Sequence, residues 1–187
     1  MYKKHVIDFF KIQDDLLILF SLASAKEKLV VAVNNSKYHD GNINQLSMDY
    51  RFWLEDKVSR LLIDIATHTR IAQDIIYDCD EAMSGQNSSF KRSTLSISSC
   101  ELRPASLVGI NPEHKDPIRE ICNKIIHALS FELEYVDFWS GKISLRGIQR
   151  GSAWQVEVDV NELCLRLRKY IELLHQQFVY TMQFYEV

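Results

Sequence analysis

The sequence predicts an α+β fold: a mainly helical bundle with a small three-stranded antiparallel meander before a C-terminal helix. Three observations lead there. Apolar residues recur at helical spacing through much of the first 130 residues, alternate with polar ones between 131 and 160, and return to helical spacing from 161 onward. The 187 residues suit one domain, divided into a helical part (1–130), a β-meander (131–160) and a last helix (161–187) packed on it.

Residues 4–33 read as the first helix, because Phe9, Phe10, Leu16, Leu17, Phe20, Ala23, Leu29 and Val33 recur at roughly helical spacing. Asp14 and Asp15 mark either a break or a solvated turn. Residues 34–42, rich in Asn and ending near Gly41, form a loop. A long helix follows over 47–83, with Leu54, Val58, Leu61, Ile65, Ala72, Ile75 and Cys79 along one stripe. Its length beside the first helix suggests an antiparallel pair. Residues 84–94 are polar and read as an exposed loop, and 95–100 alternate briefly, as in a short strand.

Asp116 can cap a helix whose first residue is Pro117, and Ile118, Ile121, Ile125 and Ile126 give that helix its apolar stripe. Strands are expected over 131–138, 143–148 and 153–160, joined by turns at 140–141 and 149–151. Trp154, Val156, Val158 and Val160 alternate with Gln155, Glu157 and Asp159, so that strand has one buried face and one wet face. Asp159 or Asn161 can cap the last helix, whose inner face is Leu163, Leu167, Ile171, Leu174 and Phe178.

A net charge of −3 and a pI near 6.1 argue against a general coat for nucleic acid, while leaving room for a local basic site. Cys79, Cys100, Cys122 and Cys164 are scattered without CxxC or zinc-ligand spacing, which reads as reduced thiols in a cytoplasmic protein. The longest apolar run near the N-terminus, 16–20, is too short to cross a bilayer, so no membrane partner is expected. No nucleotide-binding glycine loop, HExxH or calcium loop occurs, and no cofactor is expected.

The polar chemistry concentrates on the 117–128 helix. Arg119, Asn123 and His127 are spaced i, i+4, i+8 and so lie along one side. His127 can act as general acid or base, Arg119 can hold a phosphate, and Asn123 can orient either group. RNA carries its own 2′-hydroxyl nucleophile, so such a site needs no metal. The plainer alternative has Arg119 solvated, Asn123 bonded to a loop and His127 placed at a helix C-terminus by the dipole. Lys124, Arg146 and Arg150 are the candidate RNA-binding cations, together with Lys142 and an aromatic, Trp154, that is either a stacking surface or core. Asp64 and His68, with Asp74 and Asp78 nearby, form a second constellation, either metal-binding or a hydrated helix face.

This helix resembles the signature helix of HEPN domains, all-helical RNA-cleaving or nucleotide-binding modules of prokaryotic defence and toxin systems. Asn123 and His127 stand where that family has its polar residue and its His. Cys122 stands at the usual Arg position, and Arg119 lies almost a turn earlier. The resemblance implies an RNA-interacting protein, either a metal-independent endoribonuclease or a non-cutting relative, acting as a homodimer. The alternative is a non-enzymatic homodimeric adaptor, suggested by the aromatic tail of Phe178, Tyr180, Phe184 and Tyr185.

Overall fold

A computed structural model describes residues 7–25, 41–84, 107–108, 117–135 and 139–185. Among these, the chain runs α1 (Phe9–Ser24), α2 (Gly41–Ser84), β1 (Leu107–Val108), α3 (Pro117–Ile126), β2 (Ser130–Tyr135), β3 (Trp139–Gln149), β4 (Ser152–Asp159) and α4 (Val160–Tyr185). The α+β architecture is as the apolar patterning predicts: helices on one side, and on the other an antiparallel meander that precedes the C-terminal helix. The strand over 95–100 and the loop over 84–94, apart from Ser84 itself, lie outside the described residues.

Asp8 starts α1, its carboxylate accepting the Lys11 N–H at 2.9 Å. The helix therefore begins at Phe9 rather than at residue 4. The helix runs unbroken through an exposed Asp14 and a half-buried Asp15, and Asp15 pairs with Lys11 across one helical turn at 2.6 Å. Phe9, Ile12, Leu16, Leu19 and Ala23 are buried. Gly41, assigned by the sequence to a loop, instead opens α2, which runs for 44 residues. An Asn-rich composition with a glycine is a local preference, and a long helix overrides it. The face of α2 toward the core carries Leu54, Val58, Leu61, Leu62, Ile65, Ala66, Ala72 and Ile76, with Thr69 and Gln73 buried among them.

The sheet order is β1-β4-β3-β2, with every neighbouring pair antiparallel. The two-residue β1 pairs with the outer edge of β4, adding a strand to the predicted meander. Ser140 and Gly141 do not form a turn: they lie inside β3, which begins at Trp139. A register shift between Leu133 and Tyr135 lets β2 pair Tyr135 with Trp139. Leu133, Ile143, Leu145, Val156 and Val158 point inward onto the helices. Glu132, Arg146, Gln155 and Glu157 point outward, as the period-2 alternation requires.

Asp159 caps α4, accepting the Glu162 N–H at 3.0 Å. Leu163, Leu167, Ile171 and Leu174 are buried, and Phe178 is partly buried against Phe9 at 5.7 Å between ring centroids. Phe178 thus packs against the core at its margin. The side chains of Tyr180, Phe184 and Tyr185 lie outside the described residues. No described helix is long and apolar enough to cross a membrane.

Candidate functional site

The β3–β4 hairpin closes on two residues, since Gln149 pairs with Ser152. Arg150 and Gly151 both have positive φ, 51° and 81°, the pattern of a type I′ turn. This turn fixes the register behind it, so Gly147 faces Trp154 directly across the strands. A Cβ on Gly147 would sit 2.2 Å from the Trp154 ring, so only glycine lets the indole lie flat there. The same Cβ would meet the backbone carbonyl of His127 at 3.0 Å, which puts the end of α3 over this point of the sheet.

Helix α3 buries Ile118, Ile121, Cys122 and Ile125, with Arg119, Glu120, Asn123 and Lys124 half-buried on its other side. The chain leaves the helix at once: the Leu129 N–H donates to the Arg146 carbonyl at 2.7 Å, starting β2. Lys124 therefore reaches the hairpin. Its Nζ lies 4.5 Å from the Trp154 ring centroid, donates to Gln149 Oε1 at 2.9 Å and is 3.6 Å from the Glu120 carboxylate. Lys124, Gln149, Arg150, Ser152, Ala153 and Trp154 line an open cleft of about 440 Å³.

The sequence-predicted residues fall into three places. Lys124 and Arg150 come together in the cleft, beside a half-buried Trp154. Arg146 is on the outward face of the sheet, bonded to Glu132 at 2.9 Å and to Gln155 at 3.3 Å. Lys142 is also exposed, 3.9 Å from Glu134. Arg119 turns toward α2 and pairs with Asp74 at 2.9 Å; Arg70 approaches the same carboxylate at 3.3 Å. Asn123 is half-buried, and its carbonyl accepts the His127 N–H at 3.0 Å. His127 lies just past the helix end, exposed. Eight residues separate Arg119 from His127, roughly 12 Å along a helix axis, and the arginine points toward α2 rather than toward the histidine.

Sequence reading missed Gln149 and Gly147. Their signal is the register: a two-residue turn at 150–151 fixes the pairs 149/152 and 147/154. The Asp64–His68 constellation resolves differently. His68 Nδ1 lies 2.8 Å from the Asp64 backbone carbonyl, the geometry of a histidine donating to its own helix. No group of three metal-ligating side chains occurs among the described residues. No protein-family model, curated protein or solved structure matches the chain.

Proposed function

We propose that this chain is a HEPN-like RNA-interacting protein that binds single-stranded RNA in the Lys124–Trp154–Arg150 cleft. The supporting observation is the composition of the cleft: two cations and an aromatic ring around an open volume of about 440 Å³, on a molecule of net charge −3. Cations track phosphates, and an aromatic face accepts any base, so the combination suits RNA without sequence readout. A cleft with two cations on a chain of net charge −3 makes the contact local rather than a general coat.

Binding has more support than cleavage. Arg119, the phosphate contact that catalysis would call on, is committed to Asp74, and Cys122, at the position of the family's usual Arg, is buried. If the chain cuts RNA, His127 is the general acid or base, and cleavage proceeds with chelator present through the 2′-hydroxyl. The test is fluorescence anisotropy with a labelled single-stranded RNA, alongside end-labelled RNA incubated in chelator. Trp154→Ala is expected to weaken binding by about 5- to 150-fold, since stacking contributes about 1–3 kcal/mol per base. Equal affinity for parent and variant overturns the assignment of the cleft. Cutting by the parent but not by a folded His127→Ala variant would add catalysis to the reading.

A second reading, homodimeric docking, draws on exposed apolar side chains. Phe10 (72% exposed) and Leu17 share one face of α1, while Met48 and Phe52 (67% exposed) share one face of α2. Sedimentation should then show a dimer that Phe10→Asp or Phe52→Asp dissociates. A parent that is monomeric at tens of micromolar removes this reading.

A further inference from the structure

We infer that Lys124 is a built-in occupant of the ligand's place: a single unstacked base displaces it from Trp154, and its released ammonium then pairs with that nucleotide's phosphate. This inference rests on the proposal that the cleft binds RNA, and it names the unit bound: one splayed nucleotide, not a duplex.

The geometry carries it as follows. The Trp154 ring packs against Gly147, which has no side chain to hold it off. The face resting on the sheet is closed to a ligand. Over the ring stands Lys124 Nζ, 4.5 Å from the centroid. A base can stack on this indole only where the ammonium now lies. The ammonium is held by three weak partners: the ring's negative face, the Gln149 amide oxygen at 2.9 Å and the Glu120 carboxylate at 3.6 Å. None is a bidentate or fully buried ion pair, so the arrangement can exchange. A flat base replaces the cation on the ring, and a phosphate replaces the amide and carboxylate as the ammonium's partner.

The size and surroundings agree. Sites for small organic ligands run about 300–1,000 Å³, and the cleft's 440 Å³ suits one nucleotide. A paired base is stacked on both faces and cannot reach an indole at the bottom of a hairpin cleft. Arg150, at the turn, stands at the rim where the next phosphate would run. A lysine acting only as a phosphate contact would have its ammonium toward solvent. Here the Lys124 side chain is only 12% exposed and covers the aromatic ring.

The displacement has a signature of two opposite signs. Lys124→Ala removes the ammonium together with its stem, uncovering the ring. Adenosine, which has no phosphate, should bind this variant several-fold more tightly than the parent. Adenosine monophosphate should lose its advantage over adenosine, because the cation that recognises the phosphate is gone. The readout is the Trp154 indole N–H resonance, assigned by its loss in Trp154→Phe, during titration with each compound. Gln149→Ala, at an exposed position, is the second variant. It loosens the ammonium but keeps its charge, so it should tighten both compounds and preserve the preference for the monophosphate.

Adenosine affinity unchanged or lower in both variants overturns the inference. If the parent binds single-stranded RNA while the Trp154 resonance stays still, the displacement fails and RNA binding stands. If the mononucleotide titrations behave as stated but single-stranded RNA does not bind, the RNA reading fails and the displacement holds for a free nucleotide. Duplex RNA binding as tightly as the single strand of equal length also overturns the inference.

Discussion

Arg150 is held at a φ of 51°, where a side chain crowds its own backbone, and it is held there at the rim of the cleft. Asn or Gly is the ordinary choice for this turn position. On the proposed reading, an arginine kept there trades stability for a cation at the rim of the cleft. Arg150→Asn is expected to raise stability by roughly 0.5–1 kcal/mol in urea unfolding. The same substitution should weaken RNA binding and lower the salt dependence by about one counterion. A variant that is both less stable and equally competent in binding would remove the role given to Arg150. Gly147→Ala tests the opposite wall. Its methyl would need the space of the Trp154 ring, so a loss of about 1–3 kcal/mol is expected, with the binding surface displaced. Thermal melting and the anisotropy assay check the two effects separately.

At the scale of elements, α2, α3 and α4 are joined by polar side chains as well as by the apolar core. Asp74 receives Arg70 from its own helix and Arg119 from α3, and Arg70 also donates to Gln73 at 3.3 Å. Gln73, fully buried, donates to the Tyr170 hydroxyl of α4 at 2.6 Å. The ion pairs are partly exposed and contribute little each, whereas the buried amide cannot be left without its acceptor. Tyr170→Phe should therefore cost about 1–3 kcal/mol, and adding Gln73→Leu should recover part of it, because the buried amide is removed while Arg70 keeps Asp74. Additive losses in that double-mutant cycle would mean that the hydrogen bond is not the reason for the cost. This bridge was invisible in the sequence, since Arg119, Asp74 and Tyr170 meet only through tertiary packing. The strands were legible because Trp154, Val156 and Val158 alternate with polar residues. β1 was not, because two residues carry no period. The N-terminal edges were misjudged for a local reason: Asp8 caps at a point the apolar pattern does not mark, and Gly41 lies in a helix despite its composition. Lys124 and Arg150 could be named as cations from sequence, but that Lys124 covers an indole follows only from the 147/154 register.

For the molecule as a whole, the core also sets the response to alkali. Burial, with a smaller contribution from Asp159, pushes the Cys164 thiol up from 9.0 to about 12. The folded state then keeps a proton that the unfolded chain has lost. This thiol leaves stability unchanged below pH 9 and lowers it as pH rises from 9 toward 12, by up to about 1.4 kcal/mol per pH unit. Urea midpoints from pH 8 to 11 should drop along that course, and Cys164→Ala should flatten the drop. An unchanged profile in Cys164→Ala would place the alkaline loss elsewhere, with Tyr135, raised by burial to about 12, the next group to replace. The single hydrogen bond from Leu129 to the Arg146 carbonyl has a consequence of a different kind. It ties the end of α3 to the middle of β3, where the helical and hairpin walls of the cleft meet. On the proposed displacement, ligand capture waits on one lysine rotamer. Such side-chain motions take picoseconds to nanoseconds, so stopped-flow association should be a single phase, linear in ligand concentration, with no slow conformational step to limit capture.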